Sequence, residues 1–304
     1  MKKIGLLFGL EQAFPLAVFE EINKSGGGEI TSDVIKVGAL PNEFDWNCDV
    51  IFDRLSHEVP FFRSALKNAV FAGVKVMNSP FVLCSGEQFY HATLSSKLGI
   101  RTPNTSIVPS KELPPATCSE TMRNLVYPLN WKDLFDYVGF PAILRPNVSS
   151  GVQTSYKVYN PHEFFSAYDL TGNRVMILQA APDFDQYFRV FVIGTNTVIT
   201  GYDPMMPHHL RHSAKTKISP TLKEKLSDIS LQLCAKLGVE FNAVDLGVLG
   251  GEIYAVNYLN PAPAIDRMLL KDETFSKIVK LTSDYLIDVA TGKIAYSAHC
   301  NSCI

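Results

Sequence analysis

Three side chains in one segment of the sequence could together bind a metal ion. Asp245, Asn257 and Asn260 lie in FNAVDLGVLGGEIYAVNYLNPAPAID, residues 241–266. Mg²⁺ prefers hard oxygen ligands and usually takes one or two carboxylates, while phosphates and water complete its shell. Small residues flank Asp245 on its strand face and would leave space for an ion or a phosphate. The alternative is a hairpin whose Asn-Pro-Ala-Pro exit only turns the chain.

Two further groups of polar residues could contact a carboxylate or another anionic substrate. Asp53, Arg54 and His57 follow a predicted strand and precede a predicted helix, where open α/β sheets place their ligands. A helix-capping network is the alternative for these three residues. His209 and Arg211 could form a cationic lid over an anionic substrate, and a solvated loop is the alternative there.

Alternating strand and helix patterns over the first 80 residues would position the first of these groups. Short apolar strands are predicted at 3–8, 34–37, 48–53 and 74–77, with a helix over 60–72. Strands that alternate with helices predict a parallel α/β sheet. The dinucleotide fingerprint GxGxxG is absent, so the sheet is expected to be Rossmann-like in architecture only.

The rest of the chain mixes helices with hairpins. We predict a helix over 85–98 and a long irregular connection over 106–130. Ser219 is the expected N-cap of a helix that continues to residue 237. Further strands are predicted at 142–145, 154–158 and 175–179, with hairpins at 187–202 and 241–258 and a last helix over 274–290.

Composition excludes several classes of protein. The 304 residues correspond to about two domains, and 46% hydrophobic residues suffice for sizeable cores. A net charge of −2 argues against broad nucleic-acid binding, which usually needs a basic stripe. No apolar run approaches the length of a membrane span, and six scattered cysteines do not suggest a secreted disulfide scaffold. We therefore expect a cytoplasmic globular protein without nucleic-acid or membrane partners.

Four segments, in order, resemble motifs of ATP-grasp enzymes, a superfamily that includes glutathione synthetase, D-alanine–D-alanine ligase and the ribosomal-protein glutamate ligases. They are SPFVLCSGEQFYHATLSSKLGIRTP, GFPAILRPNVSSGVQTSYKVYN, VMILQAAPDFDQYFRVFVIG and GVEFNAVDLGVLGGEIYAVNYLNPAP. The resemblance implies an α/β fold in which a Rossmann-like N-terminal domain (1–80) precedes a two-lobed α+β ATP-grasp domain (81–292). The implied N-lobe spans about 106–180 and the C-lobe about 181–292, and 293–304 would be a tail.

The resemblance also implies roles for individual residues. Arg145 and Arg189 would contact phosphate and act in catalysis, whereas the pattern alone leaves a surface ion pair equally open for Arg189. Asp183 or Asp185 would accept the ribose hydroxyls, with a solvated loop as the alternative. The remaining implied nucleotide contacts are Ser149, Ser150, Gly151, Gln179 and Ala181, and the implied Mg²⁺ ligands are Asp245, Asn257 and Asn260.

Several positions depart from the family pattern. Arg145 replaces a usual lysine, Gln88 replaces another, and Ala180 replaces a glutamate beside the adenine. Asn257 stands where the second metal carboxylate is usual, and Asn260 follows three residues later instead of two. An amide keeps an oxygen ligand but discards a charge, so the departures leave open a protein that binds nucleotide or a partner without turnover.

The resemblance implies an ATP-dependent ligase that joins a carboxylate to an amine or thiol through an acyl phosphate. Its cofactors would be ATP and Mg²⁺. Its partners would be a small-molecule or peptide carboxylate and an amine acceptor, and a homodimer remains open. Such an enzyme works through charge neutralisation and positioning, so it needs no side-chain nucleophile.

Overall fold

The structure is a computed structural model that describes residues 1–82, 87–148, 154–212 and 218–294. The chain divides into two compact units. As far as its residues are described, unit 1 comprises Met1–Ser85, Gln186–Leu246 and Leu259–Ile304. Unit 2 comprises Gly86–Asp185 and Gly247–Tyr258. The predicted tail 293–304 lies outside the described residues from position 295 onward.

The N-terminal part of unit 1 is a parallel four-stranded sheet. Its strands are β1 (Lys2–Leu7), β2 (Ile30–Val34), β3 (Val50–Asp53) and β4 (Lys75–Met77), in the order β2-β1-β3-β4. Two helices connect them, α1 (Ala13–Ser25) and α2 (Pro60–Phe71). The parallel α/β prediction is therefore confirmed. The second strand begins earlier than predicted, because Ile30 and Ser32 are its buried positions and the residues after Val34 leave the sheet.

Unit 2 contains an antiparallel sheet with helices packed against it. After α3 (Gln88–Lys97), the chain forms the elements β5 (Thr105–Val108), α4 (Trp131–Val138), β6 (Ala142–Pro146), β7 (Tyr156–Val158), α5 (Pro161–Tyr168) and β8 (Met176–Ala180). The strand order is β5-β8-β6-β7. The predicted irregular connection is shorter than expected, since β5 occupies its start and a short 3₁₀ helix interrupts it at Ser119–Met122.

The remaining elements complete the fold. They are β9 (Gln186–Ile193), β10 (Asn196–Gly201), α6 (Pro220–Leu237), β11 (Phe241–Leu249), β12 (Glu252–Asn257) and α7 (Asp272–Thr291). A third four-stranded sheet has the order β10-β9-β11-β12, and the division between the units falls within β11. No described helix is both long enough and apolar enough to cross a membrane.

Local signals explain two of these boundaries. The Ser219 hydroxyl oxygen accepts the backbone N–H of Leu222 at 3.2 Å, so Ser219 caps α6 as predicted. Gly250 and Gly251 join β11 to β12 with φ of 57° and 85°. Two consecutive residues in the left-handed region form the tight turn that favours glycine in hairpins. The sequence therefore predicts this turn from its two glycines.

One aromatic core joins the parallel sheet to the strands and helix that follow in unit 1. Phe14, Phe52, Phe241 and Phe275 are at most 1% exposed and contact one another edge-on or stacked. The same cluster includes residues of β9 and α7. Unit 1 is thus held by continuous apolar packing, and such buried rings contribute most of the hydrophobic stabilisation.

The two tryptophans occupy different clusters. In unit 1, the indole N–H of Trp46 donates to Asn68 Oδ1 at 2.9 Å beside α2. In unit 2, Trp131 begins α4 and packs against the rings of Phe135, Phe164 and Tyr168. Trp131 is therefore part of the contact between α4 and α5, two helices that the sequence patterns did not predict.

Candidate functional site

A buried ion pair joins the two central strands, β9 and β11, of the sheet β10-β9-β11-β12, and both of its residues belong to unit 1. The Arg189 guanidinium on β9 donates from Nε to Asp245 Oδ1 at 2.6 Å and from Nη2 to Oδ2 at 2.8 Å. Arg189 is 8% exposed and Asp245, on the neighbouring strand β11, is 7% exposed. A bidentate arginine–carboxylate pair fixes both groups in one geometry. Burial makes this pair unlike the surface ion pair considered from the sequence.

Aromatic and hydroxyl side chains surround this pair. The Arg189 guanidinium lies 3.9 Å from the centroid of the Tyr202 ring, and Thr200 on β10 is directly opposite Arg189. The His212 ring lies beside Tyr202, with its Nδ1 3.0 Å from Thr200 Oγ1. We call Arg189, Asp245, Thr200, Tyr202 and His212 the Arg189 cluster.

In the Arg189 cluster, Arg189 stays positively charged while the neighbouring His212 ring is neutral. Burial acts to lower the pKa of Arg189, but the Asp245 carboxylate outweighs burial and raises it. Burial is also the main reason that the pKa of His212 falls to about 4, and Arg189 adds to this effect. His212 is therefore uncharged at neutral pH. Burial raises the pKa of Tyr202, which likewise stays neutral.

The predicted cationic lid lies partly beside this cluster. Arg211 donates from Nε to the Met206 carbonyl at 3.1 Å and is close enough to hydrogen-bond the Tyr202 hydroxyl. His209 belongs to a short 3₁₀ helix, His208–Leu210, and is exposed. Of the two predicted lid residues, the structure therefore places only Arg211 next to the Arg189 cluster.

The predicted metal ligands have other contacts. Both carboxylate oxygens of Asp245 accept from Arg189. The Asn260 backbone N–H donates to Asn242 Oδ1 at 2.7 Å, and its carbonyl accepts from Ala243 at 3.0 Å. Among the described residues, no group of three or more His, Cys, Asp or Glu is placed to hold a metal. The Asp245 carboxylate therefore has a guanidinium as its counter-ion, and magnesium binding by Asp245, Asn257 and Asn260 stays a prediction.

In unit 2, the predicted adenine-side residues form a buried polar network. Gln179 on β8 is 1% exposed, and its amide nitrogen donates to Thr105 Oγ1 at 3.1 Å and to the Tyr258 hydroxyl at 3.4 Å. The backbone N–H of Ala181 donates to the Pro141 carbonyl at 2.8 Å. These hydrogen bonds connect the end of β8 to β5 and to Tyr258, so the buried Gln179 side chain holds the strand in place within unit 2.

The other predicted nucleotide contacts of unit 2 are spread along its strands and loops. Arg145 on β6 donates from Nη2 to the Val256 carbonyl at 3.0 Å. Asp185 accepts the Gly250 N–H at 2.8 Å, so it supports the glycine turn, while Asp183 is exposed. The predicted phosphate-loop residues Ser149, Ser150 and Gly151 lie outside the described residues.

The substrate candidates at the end of β3 are mostly engaged in internal contacts. Asp53 accepts the backbone N–H groups of Leu55 and Ser56, each at 2.9 Å, and burial raises its pKa. Arg54 donates to Glu11 and, at 2.7 Å, to the Pro263 carbonyl. His57 is half-buried, and its pKa is lowered mainly by burial. Asp53 thus takes part in a turn network of the kind that was the alternative to substrate binding.

Comparison with known proteins identifies the fold. No family model matches the sequence, and neither does any curated protein. A D-alanine–D-alanine ligase from Bacillus anthracis in complex with ATP is similar in structure, with a TM-score of 0.69 and 15% identity over 96% of this chain and 98% of that one. The chain has the ATP-grasp fold.

Two further solved structures extend this likeness. A RimK domain protein with an ATP-grasp fold from Sphaerobacter thermophilus gives a TM-score of 0.68 at 14% identity, covering 93% of this chain and 99% of that one. An ATP-grasp ligase associated with RiPPs from Chryseobacterium gregarium, in complex with ADP and a leader and core peptide, gives 0.64 at 14% identity, covering 97% and 98%. The predicted α/β architecture and its resemblance are confirmed at the level of the fold.

Within the ATP-grasp fold, Thr200 and Tyr202 are the site residues that sequence reasoning missed, and His212 was not among the nucleotide or substrate candidates. Thr200 lies near the end of β10, the hairpin partner of the Arg189 strand, and Tyr202 directly follows that strand. Cross-strand neighbours interact directly, so the hairpin register would have identified Thr200 opposite Arg189. The carboxylate partner on β11 required the sheet order β10-β9-β11, which no local pattern shows.

Proposed function

We propose that this chain is an ATP-dependent ligase that joins a carboxylate to an amine or thiol. The observation that carries the proposal is the Arg189 cluster. In this cluster a permanently charged arginine lies on β9, a central strand of an ATP-grasp fold, and is surrounded by Asp245, the Tyr202 ring and Thr200. Two similar structures are named as ligases, and they cover 96% and 97% of this chain. The carboxylate is a small molecule or a peptide, and ATP is the co-substrate.

The reaction would proceed in two balanced steps. A carboxylate oxygen attacks the γ-phosphorus of ATP, the bond from that phosphorus to ADP breaks, and an acyl phosphate forms. The amine nitrogen then attacks the acyl carbon, the carbon–oxygen bond to phosphate breaks, and the nitrogen loses a proton. Phosphoryl transfer is accelerated mainly by positioning and by charge opposite the transferred group.

The residues of this chain would supply that charge and positioning. Arg189 stays protonated at any working pH and is held by Asp245, so it needs no reorganisation when negative charge develops. Arg211, close to Tyr202, would add a second cation. In unit 2, the Gln179–Tyr258 hydrogen bond would hold β8 in one conformation beside the adenine.

A second function, nucleotide binding without turnover, is favoured by one specific observation. The Asp245 carboxylate is neutralised by Arg189, and Asn257 cannot replace the missing charge. Such a site could retain affinity for a nucleotide while stabilising the transferring phosphoryl group less. ADP release in the presence of substrates separates the two functions.

The test combines a substrate screen with isotope transfer. Purified protein is incubated with ATP, pools of amino acids and short peptides as carboxylates, and hydroxylamine, which traps acyl phosphates as hydroxamates. With any active carboxylate, ¹⁸O in the carboxylate should appear in inorganic phosphate. Nucleotide binding without ADP release across the pools would contradict the ligase and support the second function.

Matched variants link the activity to the site. Arg189→Lys keeps the charge but loses the fork that pairs with Asp245, so ADP release should fall by about tenfold or more. Arg123→Met removes an exposed arginine in unit 2 and should leave ADP release at the wild-type rate. Equal rates in wild type and Arg189→Lys would exclude Arg189 from the reaction.

A further inference from the structure

The ring of Phe184 lies directly on Gly247 of β11, and both residues belong to unit 2. A Cβ atom added at Gly247 would come within 2.6 Å of two atoms of that ring, well inside van der Waals contact. The backbone of Gly247 does not have the left-handed conformation that favours glycine. The missing side chain at residue 247 is therefore what leaves room for the ring.

The residue that follows Phe184 fastens this segment to the same hairpin. Asp185 donates its backbone N–H to the Val248 carbonyl at 2.8 Å, and its Oδ2 accepts the Gly250 N–H at 2.8 Å. The Tyr254 ring of β12 lies 5.6 Å from the Phe184 ring between centroids, at an angle of 58°. Phe184 is half-buried, so its position is fixed while part of its ring stays accessible. A ring held in this way is preorganised to stack on a planar ligand.

The residue that ends β8 and the two that follow it leave no backbone N–H group for the edge of a base. The Ala180 N–H donates to the Asn104 carbonyl at 2.8 Å, and Pro182 has no N–H group. The Ala181 N–H donates to the Pro141 carbonyl, also at 2.8 Å. Adenine and guanine differ in which of their edge atoms donate and which accept. These three residues therefore have no N–H group that could distinguish the two purines.

We propose that Phe184 holds the base of the nucleotide by stacking, so that the chain binds purine nucleotides and distinguishes adenine little from guanine. This inference rests on the proposed function, because it names the class of nucleotide that the same enzyme takes. A purine presents a larger π-face than a pyrimidine, and stacking does not depend on the hydrogen-bonding groups at the edge of the base. The exposed carboxylate of Asp183, the preceding residue, would accept the ribose hydroxyls. Gly247 is then a positioning residue that acts through the Phe184 ring.

The first measurement compares ligands on the full chain. The dissociation constants of ADP, GDP, UDP and tripolyphosphate, which has no base, are determined by calorimetry at one MgCl₂ concentration. We expect the constants of ADP and GDP to differ by less than about tenfold, which corresponds to 1.4 kcal/mol. Both purine nucleotides should bind more tightly than UDP.

The second measurement uses variants of the ring and of its seat. Phe184→Leu keeps an apolar side chain without the ring, so ADP should bind about tenfold more weakly, while tripolyphosphate should bind as it does to wild type. Gly247→Ala places a methyl group against the ring and should give a similar loss. The double variant should bind ADP no more weakly than Gly247→Ala alone, because both changes remove the same stack. Phe71→Leu makes the matched change at a ring on α2 that is 73% exposed, and it is the control.

The outcomes separate this inference from the proposed function. An unchanged or tighter ADP dissociation constant in Phe184→Leu would overturn the inference and leave the ligase proposal standing. A tenfold or greater difference between ADP and GDP, or UDP that binds as tightly as ADP, would overturn it in the same way. Equal losses for ADP and tripolyphosphate would show that the ring acts through the fold, which also overturns it. Wild type that binds none of these ligands would overturn both proposals. A loss confined to ligands with a base, and absent in Phe71→Leu, supports the inference.

Discussion

Two buried arginines in unit 1 have similar partners but different surroundings. Arg54 is 5% exposed, pairs with Glu11, and has its guanidinium near the rings of Phe14, Phe52 and Phe241 at 4.9, 5.9 and 5.4 Å. Arg189 is buried to a similar degree, but its neighbours are a tyrosine, a threonine and a histidine. Among the described residues, each cation forms an ion pair with one carboxylate.

Burial and pairing alone therefore do not distinguish Arg189, the arginine of the proposed site, from Arg54, an arginine of the core. Arg54 connects the end of β3 to Glu11 and to the Pro263 carbonyl, and Glu11 also accepts the Ile265 N–H at 3.1 Å. These contacts join distant parts of the sequence in an apolar core. The groups around Arg189 are polar, and the proposed function places an anionic phosphate beside them. The predictions below test this contrast.

The largest effect is expected from removing the charge of Asp245. Asp245→Asn leaves the Arg189 guanidinium buried without a counter-ion, and breaking such a pair costs about 3–5 kcal/mol of unfolding free energy. Urea denaturation followed by circular dichroism measures the loss. The double variant Asp245→Leu with Arg189→Met removes both charges and should recover most of it. A loss below about 1 kcal/mol in Asp245→Asn would mean that the pair is effectively solvated.

Glu240 extends the comparison to a partly buried acid that has no ion-pair partner in the part of the chain that the structure describes. Burial raises its pKa from 4.5 to about 7, and its Oε2 has no hydrogen-bond partner among the described residues. The titratable groups that interact electrostatically with Glu240 are Tyr285 on α7 and Cys234 on α6, and the carboxylate raises the pKa of each. The folded state thus retains a proton that the unfolded state releases between pH 4.5 and 7. Unfolding free energy should therefore fall as pH rises through this window, by up to about 3 kcal/mol.

Glu240→Gln should remove this pH dependence. Urea denaturation at several pH values between 4 and 8 measures the slope for each variant. Glu224→Gln, which changes an exposed carboxyl on α6, should keep the wild-type slope. An unchanged slope in Glu240→Gln would mean that this carboxyl is solvated in the folded protein.

A smaller effect is expected at the Arg54 pair. The Glu11 side chain is 30% exposed, so water reaches one side of the pair, and an amide oxygen in Glu11→Gln can still accept from Arg54. We expect a loss of about 1–2 kcal/mol in unfolding free energy, as for a hydrogen bond to a charged group. Because Arg54 belongs to the core, nucleotide affinity should not change. A greater loss than in Asp245→Asn would reverse the contrast between the two arginines.

The smallest effect is expected in the uncharged network of unit 2. Tyr258→Phe removes the hydroxyl that accepts from Gln179 at 3.4 Å, and such a neutral hydrogen bond contributes about 0.5–1.5 kcal/mol. Thermal denaturation measures the loss. Thr105→Val, at the other acceptor of the same amide, should give a loss of similar size. A loss above 3 kcal/mol in either variant would show a network stronger than its separate bonds.

Sequence patterns predicted the elements whose signals are local. The parallel strands, the Ser219 cap and the Gly250-Gly251 turn depend on residues within a few positions of one another. Helices α4 and α5 were missed, since each has only eight residues and is stabilised by packing around Trp131. Such short helices draw their stability from tertiary contacts more than from propensity.

The sequence predicts the individual residues of the candidate site but not the contacts between them. The family resemblance predicts Arg189 as a phosphate contact, and residue type together with the resemblance predicts Asp245 as a metal ligand. Their pairing follows from two strands 56 residues apart in sequence becoming neighbours. Residue types within one segment of sequence do not show that the charges of two candidate residues, such as Arg189 and Asp245, neutralise each other in the folded protein.

The separate positions of the two tryptophans give the protein a built-in pair of optical reporters. Trp46 lies in unit 1 and Trp131 in unit 2, and the sequence contains no third tryptophan. Substituting Trp131 with phenylalanine would leave emission from unit 1 alone, and Trp46→Phe would leave emission from unit 2 alone. Intrinsic fluorescence can therefore follow the melting of each unit without any attached dye, and it offers a readout for the nucleotide binding proposed above.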